Sequence, residues 1–162
     1  MLVRFTKGQP ASPSDRLICV RTDGSTTEAG MPRQGILPHL AFHFVIESAM
    51  GWHDSLFGRV ADGLALDRLT ERMHAPDIER RKNTQAFQCE ALIECLEAEQ
   101  WGGATDPAEF ALRLLRVCRH RAVPPPDITA EELERIRLAL REFGALWRPL
   151  APGASLERIF GT

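Results

Sequence analysis

Residues 17–47, LICVRTDGSTTEAGMPRQGILPHLAFHFVIE, pass from strand through turn to helix, and their reading decides the fold. LICVR at 17–21 suits a pleated surface and runs into Thr22-Asp23-Gly24-Ser25, whose Asp-Gly pair signals a tight hairpin. Residues 26–29 supply the return strand. After the loop Met31-Pro32-Arg33-Gln34-Gly35, Pro38 sits where the first turn of a helix tolerates a missing N–H. Phe42, Val45, Ile46 and Ala49 then recur at helical spacing, which predicts a helix over about 38–50 with Gly51 as its stop.

Upstream, LVRFT at 2–6 alternates apolar and polar side chains, and Gly8, Pro10, Pro13 and Ser14 make the following segment a loop. The first 30 residues therefore read as a three-stranded antiparallel unit, too small to stand without helices over its apolar face. Downstream, a short helix is expected over about 54–62, ending at Gly63, and helical patterns continue over 64–73 and about 77–100, interrupted by Pro76. Asp106-Pro107-Ala108-Glu109 combines an N-cap acceptor, a proline at the first helical position and a glutamate placed to reach back, opening a helix to about Arg121. Pro124-Pro125-Pro126 forces an extended link. Thr129 with Glu132 is a second capping box, opening a helix to about Trp147. In the tail, Pro152-Gly153 makes a turn, and Leu156–Phe160 reads as a last strand returning to the N-terminal sheet in preference to a ragged helical end. The expected fold is α+β: one domain over 1–162, with a small antiparallel sheet packed against about five helices.

With 44% hydrophobic and 26% charged residues in 162, the chain falls in the globular class and has material for a core. A net charge of -2 lacks the positive field of a nucleic-acid or anionic-membrane binder, so nucleic acid is not an expected partner. Arg113, Arg116, Arg119 and Arg121 form a basic ridge with no interleaved aromatics, which suits pairing with the acidic middle of the chain. No apolar run approaches the roughly 20 residues of a membrane span, and MLVRFTKGQP is not a secretory signal; the reading is cytoplasmic. Cys19, Cys89, Cys95 and Cys118 show no C-x-x-C pair and read as reduced, buried thiols. Trp52, Trp101 and Trp147 fall at helix ends and are expected to clamp the core. The chain lacks G-x-G-x-x-G, G-x-x-x-x-G-K-[ST] and G-x-S-x-G, so no nucleotide cofactor is expected.

The main functional signal is His39, His43 and Glu47 in PHLAFHFVIE. Steps of four turn the helix by about 400°, so the three side chains follow one side of it. Two histidines at i and i+4 can share one ion, here a divalent transition metal such as zinc, iron, nickel or manganese. Glu47 lies about 12 Å along the axis from His39, too far to join it on one ion, and is expected behind His43 as a supporting carboxylate. Candidates for the missing ligands are Glu90, Glu94, His53, His74 and His120, and nothing in the sequence ranks them. Glu90, Glu94 and Glu97 form a stripe at i, i+4, i+7 whose simplest reading is a solvated face. The alternative for the histidines is a hydrogen-bonded pair packed between helix and sheet, with Glu47 on an arginine such as Arg33 or Arg59.

The stretches RTDGST and MPRQGILPHLAFHFVIE, with the late Pro-Gly turn, resemble a group of small uncharacterised bacterial proteins. That group shares a DGS hairpin and a His-Asp-x-x-His-[Phe/Tyr]-x-Val-Glu-like helix. The likeness spans nearly the whole chain, directs attention to His39, His43 and Glu47, and implies no reaction. Leu40 stands where that pattern has Asp, so no carboxylate follows the first histidine here. Three functional expectations result: a metal-binding protein using the His-x3-His helix, a non-catalytic module that binds a protein partner or its own copy with structural histidines, and a metal-dependent hydrolase.

Overall fold

A computed structural model describes residues 1–66 and 84–161. The fold is α+β, as expected: among the described residues, one four-stranded antiparallel sheet and five helices. The strands are β1 (Leu2–Thr6), β2 (Ser14–Val20), β3 (Thr26–Pro32) and β4 (Ser155–Ile159), in the spatial order β3-β2-β1-β4. The tail is thus a strand on the outer side of β1, and both backbone ends are tied there, with the Met1 ammonium donating to the Phe160 carbonyl at 2.9 Å.

Two boundaries differ from the sequence reading. β2 starts at Ser14 and β3 runs on to Pro32, because Ser14 and Pro32 close the ladder together; Pro32 is tolerated as the last residue of an edge strand. The hairpin connection is three residues, Thr22–Gly24: Gly24 N–H donates to the Arg21 carbonyl and Arg21 N–H to the Ser25 carbonyl, with Gly24 at φ +83°. Asp23 accepts from the Ser25 N–H and hydroxyl, which fixes the turn locally.

The register carries one apolar row across the inner face, Leu156–Phe5–Leu17–Ala29. Phe5 and Leu17 are fully buried, each worth about 1.5–3 kcal/mol in removed apolar surface. Helices α1 (His39–Met50) and α5 (Ala130–Trp147) cover this face: Phe44 and Phe143 meet the Phe5 ring edge-on at 5.7 and 5.1 Å. Helix α2 (Leu56–Ala61) adds Phe57 against Phe44 at 5.5 Å. Helix α3 (Thr84–Gly102) packs on α1, and α4 (Pro107–His120) on α3.

Helix α1 is buried at every position from Ala41 to Glu47, as befits a helix enclosed by sheet and helices on all sides. Pro38 is its N-cap, one position before the expected first turn, and Gly51 ends it at φ +62° while Trp52 N–H returns to the Glu47 carbonyl. Asp106 caps α4 by accepting from Ala108 and Glu109 N–H groups, but Glu109 faces Arg113 at 3.8 Å and closes no capping box. The Thr129–Glu132 box on α5 is complete. The expected 64–73 helix beyond residue 66, the Pro76 break and the start of the 77–100 helix fall on 67–83, outside the described residues. No described helix is long and apolar enough to cross a membrane.

Candidate metal centre

His43 reaches full burial because α1 has no solvent face there, and a buried imidazole requires partners for both nitrogens. Both face carboxylates: Nε2 lies 2.8 Å from Glu90 Oε1 on α3, and Nδ1 lies 3.2 Å from Glu47 Oε1 and 3.4 Å from Cys89 Sγ. His39, one turn earlier, repeats the arrangement. Its Nε2 lies 3.4 Å from the same Glu90 Oε1, and its Nδ1 lies 3.3 Å from Glu97 Oε1. Moving from His43 back to His39 corresponds to moving from Glu90 forward to Glu97, so α1 and α3 run antiparallel at the site.

The histidines therefore face a helix and not the sheet. The reading of Glu90 as part of a solvated stripe is corrected: it is buried between two imidazoles. Of that stripe Glu94 alone pairs elsewhere, accepting from Arg121 at 2.7 Å, a contact that ties the basic ridge to the acidic middle segment. Among the other ligand candidates, His53 lies against Phe160 with ring centroids 6.2 Å apart, His120 is exposed at the end of α4, and His74 is outside the described residues.

Glu47 stands behind His43, on the opposite side of the ring from Glu90. The expected arginine partner is not what holds it: Arg33 bonds Asp15 at 3.0 Å, while Glu47 accepts from the Ser55 hydroxyl and from the N–H groups of Leu56, Phe57 and Gly58 at 2.7–3.4 Å. These are the opening N–H groups of α2, whose N-cap Ser55 makes no cap bond of its own. Glu47 thus caps α2 from another helix, with its negative charge at the positive end of the α2 dipole.

Burial disfavours the His43 cation, but the Glu47 and Glu90 carboxylates on its two nitrogens outweigh it and raise its pKa well above the ordinary histidine value. The Glu90 bond raises that of His39, against partial burial and the neighbouring His43, with Glu97 adding to the rise. Glu90 is driven the other way: burial favours its neutral form, and the two histidines overcome it and hold it ionised. Burial pushes the Cys89 thiol up despite His43, so it is no ready thiolate.

Two sets of ligating atoms lie within 4.8 Å of one another: His39, His43 and Glu90, and His43, Glu47 and Cys89. The second is occupied by its own chemistry, since Glu47 already satisfies the α2 N-terminus and Cys89 stays protonated. The first has free geometry. Bonds of about 2.1 Å to one ion put neighbouring ligands about 3.0 Å apart in octahedral and 3.4 Å in tetrahedral coordination. Glu90 Oε1 lies 2.8 and 3.4 Å from the two Nε2 atoms. Glu90 and Cys89 were the residues the sequence left unranked or set aside. The available signal was the seven-residue spacing of Glu90 and Glu97, which presents two carboxylates along one helix face, opposite the four-residue His39–His43 spacing.

No family model matches the chain, and comparisons with curated proteins and with solved structures likewise find no match.

Proposed function

We propose that this protein binds a divalent transition metal through His39 Nε2, His43 Nε2 and Glu90 Oε1. One observation carries the reading: both imidazoles turn Nε2 toward one carboxylate oxygen while each Nδ1 rests on a separate carboxylate, Glu97 or Glu47. A ligating histidine commonly donates its second N–H to a carboxylate, which fixes the ring and raises its basicity. Two imidazoles with one carboxylate suit zinc or iron, and three protein ligands leave positions for water or substrate. Such an ion supplies Lewis acidity or an activated water, the chemistry of a metal-dependent hydrolase. This chain's residues contribute the ligand set, the carboxylates that orient it, and through the buried α1 a rigid frame.

The test is elemental analysis of untagged protein purified without chelator, beside folded His39→Ala and Glu90→Gln variants. Protons compete for the same nitrogens, so loading is done above neutral pH. About one ion per chain, lost in both variants, is the expected result. A metal-free protein after reconstitution with zinc, iron, nickel and manganese overturns the proposal and leaves His43 as an imidazolium held between Glu47 and Glu90.

A further inference from the structure

Resting on that metal reading, the geometry points to a recognition pocket beside the centre for a small molecule that carries one flat apolar group, with Trp101 as its stacking residue. The pocket, about 210 Å³, lies between the loop ahead of α1 and the last turn of α3. Ile36, Leu37 and Phe42 give it an apolar floor, Gln34 and Gln100 offer neutral amides, and His39 and Glu97 form the side nearest the proposed ion. Of the three proposed ligands, His39 alone is substantially open, with its side chain 47% exposed against 2% for His43 and 11% for Glu90. Since His39 lines the pocket, a molecule that approaches the ion past its open ligand has this pocket beside it.

Trp101 corrects the expectation that all three tryptophans clamp the core. Trp147 is buried, but Trp101 is 75% exposed at the end of α3 while lining the pocket. An indole left in water at the rim of a cleft contributes little to folding and offers a broad apolar face to a ligand. No lysine or arginine lines the pocket, so an anionic group gains there only from the proposed ion and His39. At about 30 Å³ per water the space equals roughly seven waters, enough to hold one ring.

The experiment uses two metal-chelating probes with the same head group, acetohydroxamic acid and benzohydroxamic acid, each of which releases one proton to buffer as it chelates, titrated calorimetrically into zinc-loaded protein, with metal content measured before and after. Benzohydroxamate is expected to bind roughly tenfold tighter. Trp101→Ala removes most of that preference, roughly threefold to tenfold, without altering acetohydroxamate affinity or zinc content, and Trp101→Phe restores part of it. Equal affinity for both probes, a preference indifferent to Trp101, or zinc retained with no hydroxamate binding each overturns the pocket while leaving the metal proposal intact. Failure to load zinc, iron, nickel or manganese overturns the metal reading itself, and the pocket inference with it.

Discussion

Replacing Glu47 with glutamine removes a charge and one acceptor from a site with no exposure to water, and the cost follows from the hydrogen-bond geometry. Oε1 serves His43, Ser55 and Leu56, while Oε2 serves Phe57 at 2.7 Å and Gly58 at 3.4 Å. The better orientation for glutamine keeps its oxygen at the Oε1 position. Its NH2 then faces the Phe57 and Gly58 N–H groups, donor against donor. One buried N–H left without a partner costs about 1–3 kcal/mol, and converting the remaining bonds from charge-assisted to neutral removes about 1 kcal/mol or more in addition. The expected loss is about 2–4 kcal/mol, a large part of the roughly 5–15 kcal/mol that holds a domain. With a urea slope near 2 kcal/mol/M, the midpoint of the chelator-treated protein should fall by about 1–2 M, read by far-UV circular dichroism. Hydrogen exchange should show lost protection at Leu56, Phe57 and Gly58 specifically. An unchanged or raised midpoint would refute the reasoning, because the desolvation cost of a buried carboxylate would then exceed what α2 and His43 return to it.

Other perturbations test separate parts of the fold. A Cβ at Gly58 would overlap the His53 backbone carbonyl, so Gly58→Ala should cost about 3 kcal/mol or more and lower Tm by roughly 10 °C; an unchanged melt would contradict this close approach. Thr129→Ala and Asp106→Ala each remove a helix cap and should cost about 1 kcal/mol apiece in urea titrations, additively, because they open different helices. Arg137→Met strands the buried Glu99 carboxylate that it now grips and should cost about 3–5 kcal/mol, with the double variant Glu99→Gln/Arg137→Met recovering part of the loss. Burial favours the neutral form of Glu99, but Arg137 and Thr105 outweigh it and hold its pKa below the ordinary 4.5. Its contribution is therefore complete above about pH 4.5 and lost as pH falls through the folded value, so Glu99→Gln should flatten the stability profile below that pH; an identical acid limb in both proteins would count against it.

Local chemistry made most of the fold legible in advance. The Asp106 and Thr129 caps, the Gly51 stop and the Asp23-Gly24 turn are each settled by atoms within a few residues, and all are in place. Element ends were less legible. The Ser14–Pro32 pair that extends β2 and β3 is formed across the sheet, and no local signal announces it. The site shows the same division more sharply. His39 and His43 could be placed on one side of a helix from spacing alone, but Glu90 could not be chosen over Glu94, since the choice depends on how α3 is rotated against α1. That rotation is set by packing: Cys89, Leu92, Ile93 and Leu96 are buried, which turns Glu90 inward and leaves Glu94 to reach Arg121. Glu47 was the hardest to read. The even spacing of His39, His43 and Glu47 suggested three members of one stripe with one purpose, and that inference holds for a helix with a single buried side. Helix α1 is buried on every side from Ala41 to Glu47, so residues in line along it meet different neighbours: His39 and His43 turn to the α3 carboxylates, while Glu47 turns to the start of α2, eight to eleven residues further on. His43 touches both, and the proposed metal centre is thereby coupled to the start of α2 through a single imidazole ring.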